Sequence, residues 1–430
     1  MSSSLRNFRL DFERQGATYF PGEIVRGKII LETTKDKNVR GLYFSVRGFA
    51  SVHWTERRSS GGRAGRSSSH RRSYTNTQEY FKLKINVLST NEAESSVHIP
   101  AGYTQYCYEF QLPYNIPSSF EHEYGHVRYT VKAVIDRPWK FDHECKAAFT
   151  VVSILDLNGR REKCQPIYDE LEKTFCCCCC TMKGSLDAFV KVPTSGYVPG
   201  QTIVTSLEYN NSTSSIRITK INAKLQREIK FHATSKTKTV FSNFMSTKYS
   251  GPFESKGETV LDIKVPPIPP SNLFHCKIID LNYKLKVAIH VSGLYCKLEK
   301  SYPLLIGSVP LYWEPYEQPN VVSGVFKGPA TSIPVALSDA PHMSEDIPSD
   351  SGPSSRQPPP LGFILPYPAA TTANMDIPPP SYEECVSGAQ HIRDHDESDY
   401  VHGADSPFVP RYPVFNYPAP SMLVINFFTT

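Results

Sequence analysis

Three short landmarks occur twice in the same order, and they restrict the chain to a duplicated fold. Gly16-Ala17-Thr18-Tyr19-Phe20-Pro21-Gly22-Glu23 has its counterpart in Ser195-Gly196-Tyr197-Val198-Pro199-Gly200-Gln201. Phe110-Gln111-Leu112-Pro113-Tyr114-Asn115-Ile116-Pro117-Ser118 has one in Ile263-Lys264-Val265-Pro266-Pro267-Ile268-Pro269-Pro270-Ser271. Tyr129-Thr130-Val131-Lys132-Ala133-Val134-Ile135-Asp136 matches Tyr283-Lys284-Leu285-Lys286-Val287-Ala288-Ile289-His290. Self-similarity in a fixed order is the mark of a repeated structural unit. The spacing between copies is 178 residues at the first landmark and 153 and 154 at the others. The first copy therefore holds about 25 extra residues between its first two landmarks.

The unit is a β unit. Runs such as Phe8-Arg9-Leu10-Asp11-Phe12 and Leu42-Tyr43-Phe44-Ser45-Val46 are short, alternating and rich in aromatic and β-branched residues. Pro-Gly turns separate them, and helical periodicity is nearly absent through residue 312. The expected architecture is all-β, with two tandem β-sandwiches at 5–155 and 175–312 joined by a polar connector at 156–174. The extra residues fall at 56–77, where no aliphatic side chain exceeds alanine. A stretch that cannot bury itself is expected to be a mobile loop. Its arginines suit phosphates, and Ser67, Ser69 and Ser73 follow basic residues as basophilic kinase targets do; the alternative, which takes precedence, is a tolerated hairpin insertion.

Composition changes abruptly at Trp313. The 118 residues from there on hold 20 of the 35 prolines, with 4 Lys and Arg against 14 Asp and Glu. Residues 1–312 carry 43 basic and 28 acidic side chains. Residues 313–430 read as a disordered, acidic, Pro-rich tail, and the basic body suits anionic partners such as a phospholipid surface or an acidic peptide. No apolar run reaches the length of a membrane span, and the N-terminus lacks an apolar signal core, so a cytoplasmic protein is expected.

Eleven cysteines do not outline a disulfide framework, since five are consecutive, Cys176 to Cys180, and the rest are single. The run reads as small strand residues, as S-acylation sites beside Lys173 and Lys183, or as metal ligands; adjacent cysteines chelate zinc poorly. Catalytic patterns are missing: the sequence has no Gly-x-Ser-x-Gly, no phosphate-cradling Gly-rich loop and no His-Glu-x-x-His. His122 and His126 would share a face only on a helix, and their segment reads as loop and strand. Neither an enzyme nor a cofactor is expected.

One peptide in the tail carries a specific recognition chemistry. Pro379-Pro380-Ser381-Tyr382 is a Pro-Pro-x-Tyr sequence. Prolines fix φ near the polyproline II value, and WW domains read that helix with an aromatic groove for the prolines and a pocket for the tyrosine. Val409-Pro410-Arg411-Tyr412 has the same frame without the first proline. The candidate partner-binding residues are Pro379, Pro380, Tyr382, Pro410 and Tyr412. Pro358-Pro359-Pro360 after Arg356 offers a weaker SH3-type ligand, leaving a Pro-rich signalling scaffold as the alternative. Met422 to Phe428 forms an apolar end.

The landmarks resemble the α-arrestins, the arrestin domain-containing proteins. Gly-x-x-Tyr-x-Pro-Gly-Glu at 16–23, Phe110-Gln111-Leu112-Pro113 with Pro117-Ser118-Ser119-Phe120-Glu121, and Arg128 through Trp139 carry the resemblance, which covers about residues 5–312. It implies arrestin-like sandwiches of the immunoglobulin type. It further implies a non-catalytic adaptor that brings membrane receptors or transporters to WW-domain HECT-type ubiquitin ligases, for ubiquitination, endocytosis and endosomal sorting. Recruitment to the plasma membrane and endosomes follows from the same resemblance. Many family members carry two full Pro-Pro-x-Tyr peptides, whereas this chain has one and the incomplete 409–412.

Overall fold

The computed structural model describes residues 4–60, 68–89, 96–176, 182–213, 216–293, 297–312, 390–394, 397 and 400–414. The described part is built almost wholly of strands, with two short 3-10 turns at Asn158–Lys163 and Ser271–Leu273. In the first sandwich, a three-stranded sheet runs in the order Leu5–Phe12, Ile24–Thr33, Gly102–Gln111. The other sheet runs Thr18–Tyr19, His143–Val151, Gly125–Asp136, Gly41–Ser60, Ser68–Ser89. The second sandwich pairs Ile167–Cys176, Met182–Val192, Thr202–Asn211 and Lys256–Lys264 in one sheet. Its other sheet runs Gly196–Tyr197, Leu298–Ile306, Ile279–Val291, Ile218–His232, Thr237–Ser250.

The repeated landmarks are repeated joints. Pro21-Gly22 and Pro199-Gly200 occupy the centres of two equivalent turns, closed by Glu23 N–H to Phe20 O at 3.1 Å and Gln201 N–H to Val198 O at 3.1 Å. Gly22 and Gly200 have φ of +85° and +96°, which glycine adopts without a Cβ penalty. The residue after each glycine folds back. Glu23 accepts the Phe20 N–H at 2.9 Å, and Gln201 accepts the Val198 N–H at 2.9 Å. The other landmarks meet across each core: Tyr129 donates to Pro117 O at 2.6 Å and Tyr283 to Pro269 O at 2.9 Å. Ser119 and Ser271 then accept the backbone N–H of Val151 and Ile306, each at 2.9 Å. A buried hydroxyl left unpaired would cost about 1–3 kcal/mol, so each tyrosine recurs together with its acceptor.

Alternation sets the cores. Along Ile24–Thr33 and Ile279–Val291 alternate side chains are buried, as expected for strands with one covered face. In the first sandwich Phe149 lies at the centre, with ring centroids 5.7 Å from Phe12, 5.9 Å from Tyr19, 6.0 Å from Phe110 and 5.9 Å from Tyr129. These rings come from both sheets and join them face to face.

Three sequence expectations are corrected. Residues 56–60 and 68–77 are not free loop, because strands Gly41–Ser60 and Ser68–Ser89 stay in register out to Ser60 and Ser68. Trp54 stacks on Tyr74 at 5.4 Å within this arm. The arm is held by the second sandwich: Asn76 Nδ2 donates to His232 O at 3.1 Å, Gln78 Nε2 to His275 O at 3.0 Å, and Lys236 Nζ pairs with Glu56 at 2.6 Å. Its small polar residues therefore have main-chain and cross-domain partners that a reading of the isolated stretch does not reveal. The tip, 61–67, lies outside the described residues.

The connector 156–174 is likewise shorter than expected. Ile167–Cys176 is a strand pairing with Met182–Val192, and it buries Leu171 and Phe175 while turning Glu170 and Glu172 to solvent. An edge strand with one wet face carries enough charge to read as linker. Finally, residues 390–394 and 400–414 of the tail, expected to be disordered, are folded onto the first sandwich. The remainder of the Pro-rich tail, the apolar end 422–428 and Cys177 to Cys180 lie outside the described residues.

Buried histidines give the body an acid limit. His122 packs its ring 5.1 Å from Phe231 of the second sandwich. Burial, then Arg227 and Lys238, push its imidazole down to about 4. Burial also lowers His126, and burial followed by Arg137, Lys37 and His402 takes His143 down to about 4. In an unfolded chain these rings titrate near about 6.5. Between those values the unfolded state binds more protons, so stability falls as pH drops from about 6.5 to 4. Glu121 acts in the opposite sense, since burial, opposed by Arg128, raises its carboxyl above the ordinary value, which costs stability as pH rises past about 4.5. Three rings outweigh one carboxyl. The melting temperature is expected to fall on acidification below about pH 6.5, with a shallower fall in His122→Phe. A variant as acid-sensitive as the wild type would remove His122 from this account.

Candidate interaction site

Three adjacent strands of the larger first-sandwich sheet present a cluster of cations on their outer face. Arg128 and Lys132 lie on Gly125–Asp136, Arg47 opposite Thr130, and Lys146 opposite Lys132. Like charges directly opposite across a ladder repel, so a Lys132–Lys146 pair needs counter-charge. Glu144 supplies part of it, 3.2 Å from Lys132 Nζ. The tail supplies the rest. Glu397 spans both lysines, with Oε2 2.9 Å from Lys146 Nζ and Oε1 3.5 Å from Lys132 Nζ. Asp394 spans Lys146 at 2.9 Å and Arg47 at 3.6 Å. The Lys146 side chain is left 2% exposed. Burial alone would lower the Lys132 ammonium, but Glu144 and then Glu397 hold it above its ordinary value.

Beside this cluster Arg128 forms a two-pronged ion pair with Glu121, at 2.8 Å on each arm, and donates its Nη1 to His391 O at 3.1 Å. Both partners are sealed from water, with side chains 2% and 3% exposed. Removing either partner would strand a buried charge, so the pair and the tail carbonyl form one satisfied network.

Backbone pairing and apolar anchors complete the docking. Val401-His402 adds a parallel strand to the His143–Val151 edge, opposite Glu144 and Cys145. Gln390-His391 pairs antiparallel with Pro407-Phe408, folding the segment back on itself. Ile392, Val401 and Ala404 are buried at 2%, 3% and 0% exposure. At the far end Arg411 N–H donates to Thr150 Oγ1 at 3.1 Å, and the Tyr412 hydroxyl donates to Ser119 O at 2.7 Å.

Of the candidate WW ligands, the described residues include one pair. Pro410 is buried and Tyr412 is 7% exposed, both within the docked segment. Pro379, Pro380 and Tyr382 lie outside the described residues. Sequence reasoning missed Arg47, Arg128, Lys132, Lys146, Asp394 and Glu397. Their signal was the contrast between an acidic tail and a basic body; the acidic peptide that suits the body is, in part, its own. Among the described residues no group of three His, Cys, Asp or Glu side chains is placed to hold a metal ion, and no helix is long and apolar enough to cross a membrane.

Comparison with known proteins agrees with this architecture. Residues 8–158 match the arrestin (or S-antigen) N-terminal domain, and residues 182–311 match the arrestin (or S-antigen) C-terminal domain. The chain is 28% identical over 316 residues to arrestin domain-containing protein 17 of Caenorhabditis elegans, covering 71% of each chain. It is 29% identical over 303 residues to human arrestin domain-containing protein 4, covering 69% of this chain and 70% of that one. Human thioredoxin-interacting protein is 27% identical over 314 residues, covering 72% of this chain and 76% of its own. Two arrestin domains in tandem, in this order and over this length, make the chain a member of the arrestin domain-containing protein family, the α-arrestins.

Proposed function

We propose that the protein is a non-catalytic adaptor whose arrestin body contacts the cytoplasmic parts of membrane receptors or transporters. Its Pro379-Pro380-Ser381-Tyr382 peptide recruits WW-domain HECT-type ubiquitin ligases, so that cargo is ubiquitinated, endocytosed and sorted at endosomes. The protein then works from the cytoplasm and is drawn to the plasma membrane and endosomes by its cargo. The observation that carries this reading is an arrestin pair followed, further along the chain, by a complete Pro-Pro-x-Tyr peptide. Tyr412, whose hydroxyl and ring are engaged by the first sandwich, is withheld from a WW groove in the docked state.

Titrating the full chain against an isolated WW domain of a HECT-type ligase tests this. Tyr382→Ala is expected to lose about 2 kcal/mol or more, over tenfold in affinity, as an aromatic anchor does. Tyr412→Ala is expected to bind like the wild type. The reverse pattern would assign recruitment to 409–412. Capture by SH3 domains with no WW binding would favour the signalling-scaffold alternative.

A further inference from the structure

Among the described residues, the most exposed aromatic side chains of the body sit together on one hairpin tip. Strands Gly125–Asp136 and His143–Val151 are joined by Arg137-Pro138-Trp139-Lys140-Phe141-Asp142. Trp139 is 100% exposed and Phe141 88%. Single exposed apolar residues need no explanation, but two large rings side by side at a projecting tip do.

The tip is built to display them. Arg137 N–H donates to Asp142 Oδ1 at 3.0 Å, and the Arg137 guanidinium donates from Nε to Phe141 O at 2.8 Å and also from Nη2. These bonds close the loop across its base. Trp139 has a φ of +61°, a left-handed conformation that a bulky side chain adopts only against strain. Backbone strain that turns a tryptophan wholly into water contributes nothing to the stability of the body. It points instead to an external surface.

Charge identifies that surface. Lys140 is exposed beside the rings, and Lys37 lies close enough that Arg137 and Lys140, after burial, lower its ammonium. The carboxylates at this end are already engaged: Asp136 with Arg40 at 2.6 Å, and Asp142 with the Arg137 backbone. Among the described residues neither Lys37 nor Lys140 forms an ion pair, although Lys37 Nζ donates to Ser4 Oγ at 2.6 Å. Two exposed aromatic rings beside cations that have no carboxylate partner match the water–bilayer boundary, where tryptophan settles and basic side chains meet lipid phosphates.

We propose that this hairpin tip is a membrane-interface anchor for an anionic bilayer. Trp139 and Phe141 enter the headgroup boundary, while Lys140, Arg137 and Lys37 contact lipid phosphates. The assignment does not depend on ligase recruitment. It gives the body its own contact with the membrane and so orients it toward cargo.

Co-sedimentation of the full chain with phosphatidylcholine vesicles, with and without phosphatidylserine, tests the proposal. Trp139→Ala with Phe141→Ala is expected to lower binding to the anionic vesicles at least tenfold with an unchanged melting temperature. Lys37→Gln with Lys140→Gln is expected to remove most of the difference between anionic and neutral vesicles and to flatten its salt dependence. Quenching of tryptophan emission by bromine-labelled lipid is expected in the wild type and reduced in Trp139→Phe. Undiminished vesicle binding by the double aromatic variant would overturn the proposal. So would a change in sedimentation from dimer to monomer in that variant without a change in lipid binding, which would assign the tip to contact between copies of the chain.

Discussion

Replacing Lys146 by glutamate is expected to release residues 390–414 from the first sandwich. In the folded chain the Lys146 ammonium is nearly sealed from water and holds Asp394 and Glu397 at 2.9 Å each. The substitution puts a third carboxylate where the only relief is separation. Breaking a buried ion pair from one side costs about 3–5 kcal/mol when the stranded charge cannot escape. Here it can, because the tail can return its acids to solvent while the sandwich stays folded. The effect is therefore expected as undocking, with hydrogen exchange at Val401 to Ala404 and at Arg411 accelerated by about two orders of magnitude or more. The melting temperature of the body should change little. Lys146→Met, which removes attraction without adding repulsion, should fall between wild type and Lys146→Glu. Release also exposes Tyr412, so Lys146→Glu should restore part of the WW binding lost in Tyr382→Ala. Unchanged exchange rates in Lys146→Glu would show that Ile392, Val401 and Tyr412 hold the segment without help from its charges.

Phe149→Ala is expected to cost the most stability of any single truncation in the first sandwich. The ring is 0% exposed and touches aromatic neighbours from both sheets. Truncating a buried phenylalanine costs about 3–5 kcal/mol, the larger values where the surroundings cannot collapse. Four rigid rings with centroids about 6 Å away, each fixed by its own strand, collapse poorly. Denaturant unfolding should show the loss in the midpoint with little change in slope. Because Thr150 and Ser119 frame the Tyr412 end of the docked tail, protection of Arg411 should fall as well. A loss below about 1 kcal/mol would mean that the aromatic cluster repacks freely.

The fold was legible because its signals are local. A Pro-Gly turn, a strand that alternates, and a tyrosine whose acceptor lies twelve or fourteen residues upstream all sit within short windows of sequence. Their recurrence separated two sandwiches before any pairing was known. What escaped was determined by distant partners. The strand Ile167–Cys176 owes its place to Met182–Val192, and the outer arm, 56–60 and 68–78, owes its place to His232, His275 and Lys236. Lys146 and Asp394 are 248 residues apart, with nothing in either neighbourhood to announce the other. Trp139 was visible as part of a family landmark, but only its left-handed backbone and full exposure separate it from a core tryptophan.

The docked segment also sets a timetable. The edge at Glu144 and Cys145 that receives Val401 and His402 is finished long before its cover is made. During synthesis at about 5–20 residues per second, the roughly 250 intervening residues take about ten to fifty seconds to emerge. Over that interval the nascent first sandwich exposes an unpaired strand edge beside Arg47, Lys132 and Lys146, the arrangement that invites foreign strands to add on. Termination between residues 313 and 389 would leave that edge open for good. Truncated products of this chain should therefore be held by chaperones or aggregate more readily than the complete protein, although both sandwiches are present in full.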